Sequence, residues 1–243
     1  GGSGDVYRNF PIASGLLQGK YITAVEVIPG NTEIVHHVLI FQDSTNVPAQ
    51  LDANDAGPGY TNAGGTGSLA SKLIAGYTPG ASPYYTPVST GFRLPAGTNI
   101  VVQVHYPAGS QGLVDSTRIN FKLSSGPLRE ITVWPLLNHL QNISPSSINI
   151  PANTTKTYTE AYSVGSTNWT FLSAFPHMHL IGRTIKSWAN TTVPNDTIRF
   201  LDVPDWDFHW QDTYVFPNAV KVPSNSTLRA TAFYDNTANN PDN

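Results

Sequence analysis

The chain is 243 residues long, with 13 Lys plus Arg against 16 Asp plus Glu and a formal net charge of −3. Charged residues are only 12% of the total and the two signs are interspersed, which leaves no electrostatic footprint for nucleic acid or an anionic membrane. Cysteine is absent, which removes disulfides and thiol nucleophiles, and no apolar run approaches the roughly 20 residues of a membrane span.

The length suits one large or two medium domains. Abundant Thr, Asn, Ser, Gly, Pro and Val, with few Glu, Lys or Met residues, disfavour long helices and favour short strands joined by turns. The same low-charge composition reads as that of an exported bacterial protein, destined for the periplasm, the cell surface or the medium. Gly1-Gly2-Ser3-Gly4 reads as an appended or processed start.

In chain order, residues 21–28 and 34–41 are strand-like, and the second of these runs opens on His36-His37 before Val38-Leu39-Ile40-Phe41. Residues 43–90 show little periodicity. Nearly 50 residues are too many for an idle loop, so short strands that cover a functional face are expected there. Within it, 68–75 is the only stretch with a helical look. Strand-like runs return at 99–106, which carries Gln103 and His105, and at 117–123. Ser124-Ser125-Gly126-Pro127 then interrupts the rhythm as a polar linker, which divides the chain into 1–126 and 127–243. The second half has strand-like runs at 170–175, 184–188, 198–203 and 227–234. The expected class is all-β: two antiparallel β-sandwich domains.

Seven histidines are present, and their contexts differ. Neighbouring strand residues point to opposite faces, so His36 and His37 can share one ion only if a bulge or a different choice of ring nitrogen re-aims one ring. A doubled histidine in an apolar strand is costly unless both rings have partners. A pairing that brings His105 beside them makes a three-nitrogen site suited to copper or zinc, copper having the higher intrinsic affinity. Otherwise His105 is a satisfied core residue. His177-Met178-His179 places two imidazoles on one face of an extended chain, their Cα atoms roughly 6.5 Å apart; an exposed pair on a sheet edge is the plainer alternative. Met178 points the other way and reads as a packing residue. His139 and His209 lack partner spacing or sit among aromatics and read as structural. The nucleophile elbow, the phosphate-cradling loop and the His-Glu-x-x-His helix are all missing.

His36-His37-Val38-Leu39-Ile40-Phe41, Gln103-Val104-His105-Tyr106 and His177-x-His179 together resemble the ligand series of the copper type II, ascorbate-dependent monooxygenases. That family includes dopamine β-monooxygenase, the peptidylglycine hydroxylating enzyme and bacterial members. Tyr7-Arg8-Asn9-Phe10, Gly59-Tyr60-Thr61-Asn62, 176–182, 205–211 and Tyr234-Asp235-Asn236 extend the resemblance along most of the chain. It implies two jelly-roll sandwiches facing each other across a cleft, with copper at His36, His37 and His105 in the first and at His177 and His179 in the second. Ascorbate would be the reductant, molecular oxygen the co-substrate, and a small molecule or an exported polymer the substrate. Gln103 would stand behind the ligands, between the two centres.

Three departures accompany it. The second copper of the family also takes a methionine beyond the motif resembling Tyr234-Asp235-Asn236. No such ligand is in this sequence, which reads as truncated at its C-terminus and as part of a larger chain or assembly. Asn9 and Asn62 stand where relatives carry cysteines. Phe175 replaces the arginine with which the peptide-hydroxylating branch grips a carboxylate. Two alternatives of other classes remain: a non-catalytic copper-binding sandwich module of a larger exported or cell-surface protein, and a hydrolase on paired sandwiches.

Overall fold

The computed structural model describes residues 4–63, 65–137, 143–145, 148–208 and 210–243. Two compact units divide the chain, Gly1–Val133 and Trp134–Asn243. The division falls past the 124–127 linker because the chain, after a cis Gly126-Pro127 bond, returns to the first unit: Arg129 and Glu130 pair with Thr90 and Gly91.

The first unit contains β1 (Val6–Ala13), β2 (Lys20–Ile28), β3 (His37–Asp43), α1 (Val47–Ala53), β4 (Tyr60–Thr61), β5 (Lys72–Tyr77), β6 (Tyr84–Tyr85), β7 (Thr90–Leu94), β8 (Asn99–Tyr106), β9 (Arg118–Ser124) and β10 (Arg129–Glu130). One sheet runs β4-β1-β8-β3-β5. The other has β2 at its centre, with β9 on one flank and β6, β7 and β10 on the other. Every pairing is antiparallel except β10 with β7. Period-two alternation turns Val38, Ile40, Ile100, Val102 and Val104 of the first sheet onto Ile22, Val25, Phe92 and Leu94 of the second, forming one apolar core.

The second unit contains β11 (Thr155–Ser163), β12 (Trp169–Ala174), β13 (Gly182–Asn190), β14 (Thr197–Val203), β15 (Tyr214–Val222) and β16 (Thr227–Asp235). A four-stranded sheet, β11-β16-β13-β14, packs with the β12-β15 pair. Ala189 and Leu228 of the sheet meet Val222 of the pair in a core rimmed by Trp169, Phe171 and Phe200. The architecture is thus all-β and sandwich-like. No helix of the described residues is long and apolar enough to cross a membrane.

The segment 43–90 departs from the sequence reading in one respect. Its helix is α1, whereas the second half of 68–75, read as helix-like, belongs to strand β5. Pro48 in the first turn suits a helix start, where its missing N–H costs nothing. Leu73 and Ala75 instead pair with Phe41 and Ile40 of β3.

Segment 43–90 is tied to β1 by Arg8. Its guanidinium makes a two-point bond to Asp55 (2.8 and 3.1 Å) and donates to the Pro58 and Gly59 carbonyls and the Thr61 hydroxyl. The Arg8 bond, with the Gly57 N–H, lowers the Asp55 carboxyl from 3.8 to about 2. A depressed folded-state value means a contribution to stability that is present above pH 3.8 and lost as pH falls toward 2. Thermal melts at pH 6, 4 and 2 are therefore expected to show Asp55→Asn less stable than the parent at pH 6 and converging with it at the lowest pH.

Candidate metal centre

Register decides the first site. β3 and β8 pair so that His37 lies directly opposite His105, and the His36 N–H donates to the His105 carbonyl at 3.0 Å. His36 lies just ahead of the first residue of β3, outside the strand's strict alternation. Adjacent histidines thus converge without a bulge, and both present Nδ1.

The three Nδ1 atoms form a nearly equilateral triangle: 3.2 Å for His36–His37, 3.2 Å for His36–His105 and 3.3 Å for His37–His105. The ring planes incline to one another by 57–68°, splaying around a common point. That point lies about 1.9 Å from each nitrogen, close to the roughly 2.0–2.1 Å of a metal–imidazole bond. It is the one group of three or more His, Asp or Glu side chains with metal-holding geometry among the described residues. His37 and His105 are buried and His36 is half-buried.

A carboxylate stands behind the triangle. Asp5 Oδ2 lies 3.0 Å from His105 Nε2, and Asp5 Oδ1 accepts the Ala108 N–H at 3.0 Å. Burial pushes the Asp5 carboxyl up, but the Ala108 and His105 bonds outweigh it and leave the group below its ordinary range. An ionised Asp5 can only accept, so the His105 proton sits on Nε2 and Nδ1 turns its lone pair to the triangle. Lone pairs gathered at such distances repel unless a cation lies among them, which is the chemical reason the donor set fits a metal. Tyr7, opposite His105 in the β1–β8 register, stacks on that imidazole at 4.2 Å with planes 5° apart.

Gln103 lies two residues before His105 on the same face. Its amide donates to Asn9 Oδ1 and to the Asn62 and Gly65 carbonyls, at 2.9–3.1 Å. Asn9 in turn donates to the Asn62 carbonyl at 3.1 Å. The two asparagines at the expected cysteine positions are therefore neighbours, joined through hydrogen bonds. Gln103 clamps the long segment over the ligand-bearing face.

His177 and His179 follow the end of β12 in an extended stretch outside any strand. Exposure still alternates: Pro176 and Met178 are buried, His177 and His179 exposed. Their rings lie 5.3 Å apart at 81°. Met178 packs with Ile185, Trp206 and Ala232, as its position between the histidines implies. Phe175 stacks on His177. Gln211 is buried, donates to the Phe208 carbonyl at 2.8 Å and so turns its oxygen to His177 Nδ1 at 2.7 Å. That contact places the His177 proton on Nδ1 and makes Nε2 the lone-pair nitrogen. Among the described residues no Asp, Glu or further His joins this pair to make three. His139 and His209 lie outside the described residues.

No family model and no curated protein matches the sequence.

Asp5 and Gln211 were not singled out from sequence. Asp5 is 100 residues from His105 and sits in no motif; Gln211 is 34 residues from His177 and closes the 205–211 stretch, whose resemblance gave it no role. Asp5→Ala, at a partly exposed side chain, should leave the fold intact and weaken metal binding at the first site by about 10- to 100-fold, measured by competition with a chelator. Gly182→Ala would put a Cβ 2.8 Å from the Met178 Cβ. It is expected to cost about 1–3 kcal/mol in thermal unfolding relative to the parent chain.

Proposed function

We propose that this chain is the core of a copper-dependent, ascorbate-driven monooxygenase that hydroxylates C–H bonds of a small molecule or exported polymer. The Nδ1 triangle of His36, His37 and His105 carries the reading. It offers three neutral nitrogens at metal-bonding distance and leaves any four-coordinate ion an open position. Imidazole donors suit copper, which stands at the top of the divalent affinity order. Second support comes from His177 and His179, whose exposed rings stand on one side of the chain.

In this reading bound copper supplies one-electron transfer at the first site and oxygen activation at the second, with ascorbate furnishing two electrons as one oxygen atom enters the substrate and the other leaves as water. The chain's own contribution is orientation. Asp5 holds the His105 proton on Nε2, and Tyr7 fixes the plane of that ring. Gln211 holds the His177 proton on Nδ1. Gln103 closes the long segment over the first ligand set through Asn9, Asn62 and Gly65.

A second reading is a copper-binding sandwich module without turnover, within a larger exported or cell-surface protein. The observation favouring it is that, among the described residues, no third His, Asp or Glu joins His177 and His179. Metal analysis and oxygen uptake separate the two. The enzyme reading expects about two coppers per chain and oxygen consumption driven by ascorbate. Copper bound without oxygen uptake favours the module, and no copper at either cluster overturns both. His105→Ala should remove copper from the first site and spare the second.

A further inference from the structure

The sandwich of the first unit is not closed on its β1–β9 flank. Phe10, Tyr106, Ile119 and Phe121 pack on the core yet remain only partly buried, while Ile12 and Leu123 are 55% and 43% exposed. These residues border a cavity of about 650 Å³, whose floor is Ile100, Val102 and Val104. On β8 these alternate with Gln103 and His105, so the cavity lies on the face of the sheet opposite the histidine triangle. Volume and walls match small-molecule sites, which run roughly 300–1,000 Å³ and are mainly apolar. Its lining follows β8 from Ile100 through the floor to Tyr106 at the border, about 20 Å at 3.3 Å per residue, so the space is elongated.

Charge selects the head of the occupant. The walls contain two carboxylates, Asp52 and Asp115, and no Lys, Arg or His. Asp115 is saturated: it accepts the Gly30 and Asn31 N–H groups at 3.0 Å and the Tyr106 and Thr117 hydroxyls at 2.9 and 2.8 Å. Arg8, on the same face of β1, has all five N–H groups committed to Asp55, Pro58, Gly59 and Thr61. Asp52 is half-buried on α1; its backbone carbonyl accepts the Asp55 N–H at 3.1 Å, while its carboxylate has no hydrogen bond or ion pair among the described residues. We propose that this cavity binds a linear amphiphile, its alkyl chain lying between the sheets and its cationic head against Asp52. The site stands apart from the copper reading and holds whether or not that reading does.

Calorimetric titration of the metal-free full chain with decylammonium, 1-decanol and decanoate, each below its aggregation concentration, tests this. Decylammonium should bind one to one, about fivefold tighter than decanol, with decanoate weakest. Asp52→Asn, at a side chain outside the core, should bring decylammonium down to the level of decanol and leave decanol unchanged. Ile119→Trp, which fills the cavity, should weaken both, with a thermal melt reporting that the unit is folded. Absence of decylammonium binding, decanoate binding as tightly, or a cation preference that survives Asp52→Asn would overturn the proposal.

Discussion

The pairing of β3 with β8 is the constraint on which the first unit depends. With His37 set against His105, Val38 falls against Val104 and Ile40 against Val102, so one register seats the apolar core and gathers the ligands. A slip by one residue would exchange the two faces of β3, burying histidine among valines and turning valine toward the polar side. Apolar burial on one face therefore enforces the arrangement of the imidazoles on the other. The His36 N–H to the His105 carbonyl extends the ladder by one contact and brings in the third ring.

That arrangement asks for a strand buried on both sides, and β8 is. Its inner face meets the core in the ordinary way. Its outer face carries Gln103 and His105, polar groups that would be costly under a cover unless bonded. Segment 43–90 meets that demand. Asn62 and Gly65 receive the Gln103 amide, Arg8 pins Asp55 and its neighbours, and Asp43 accepts bonds from Thr45 and Ser71. A long, weakly periodic segment is thereby explained as the lid of a polar layer.

The two histidine clusters differ in how they are built. The first is assembled from a strand pair and its immediate approach, buried, and backed by a carboxylate. The second is a local pair on irregular chain, exposed, and steadied by a buried glutamine and by Met178 beneath it. Rigid elements hold ligand atoms more tightly than loops do, so the first cluster has the character of a preformed site.

Sequence alone carried the period-two runs, the turn residues between them and therefore the all-β class; it also isolated five histidines as a set distinct from the other two. Alternation alone placed Met178 in the core, because i and i+1 face opposite ways in any extended chain. Helix α1 escaped, since a seven-residue helix has too few turns to show a period. So did Asp5 and Gln211, whose roles arise from contacts across the chain that no local pattern records. Whether His36, His37 and His105 met at all, and through Nδ1, was decided by strand register and by the hydrogen bond at the far side of His105. Register is a property of two strands and the core between them, and a single run of residues does not contain it.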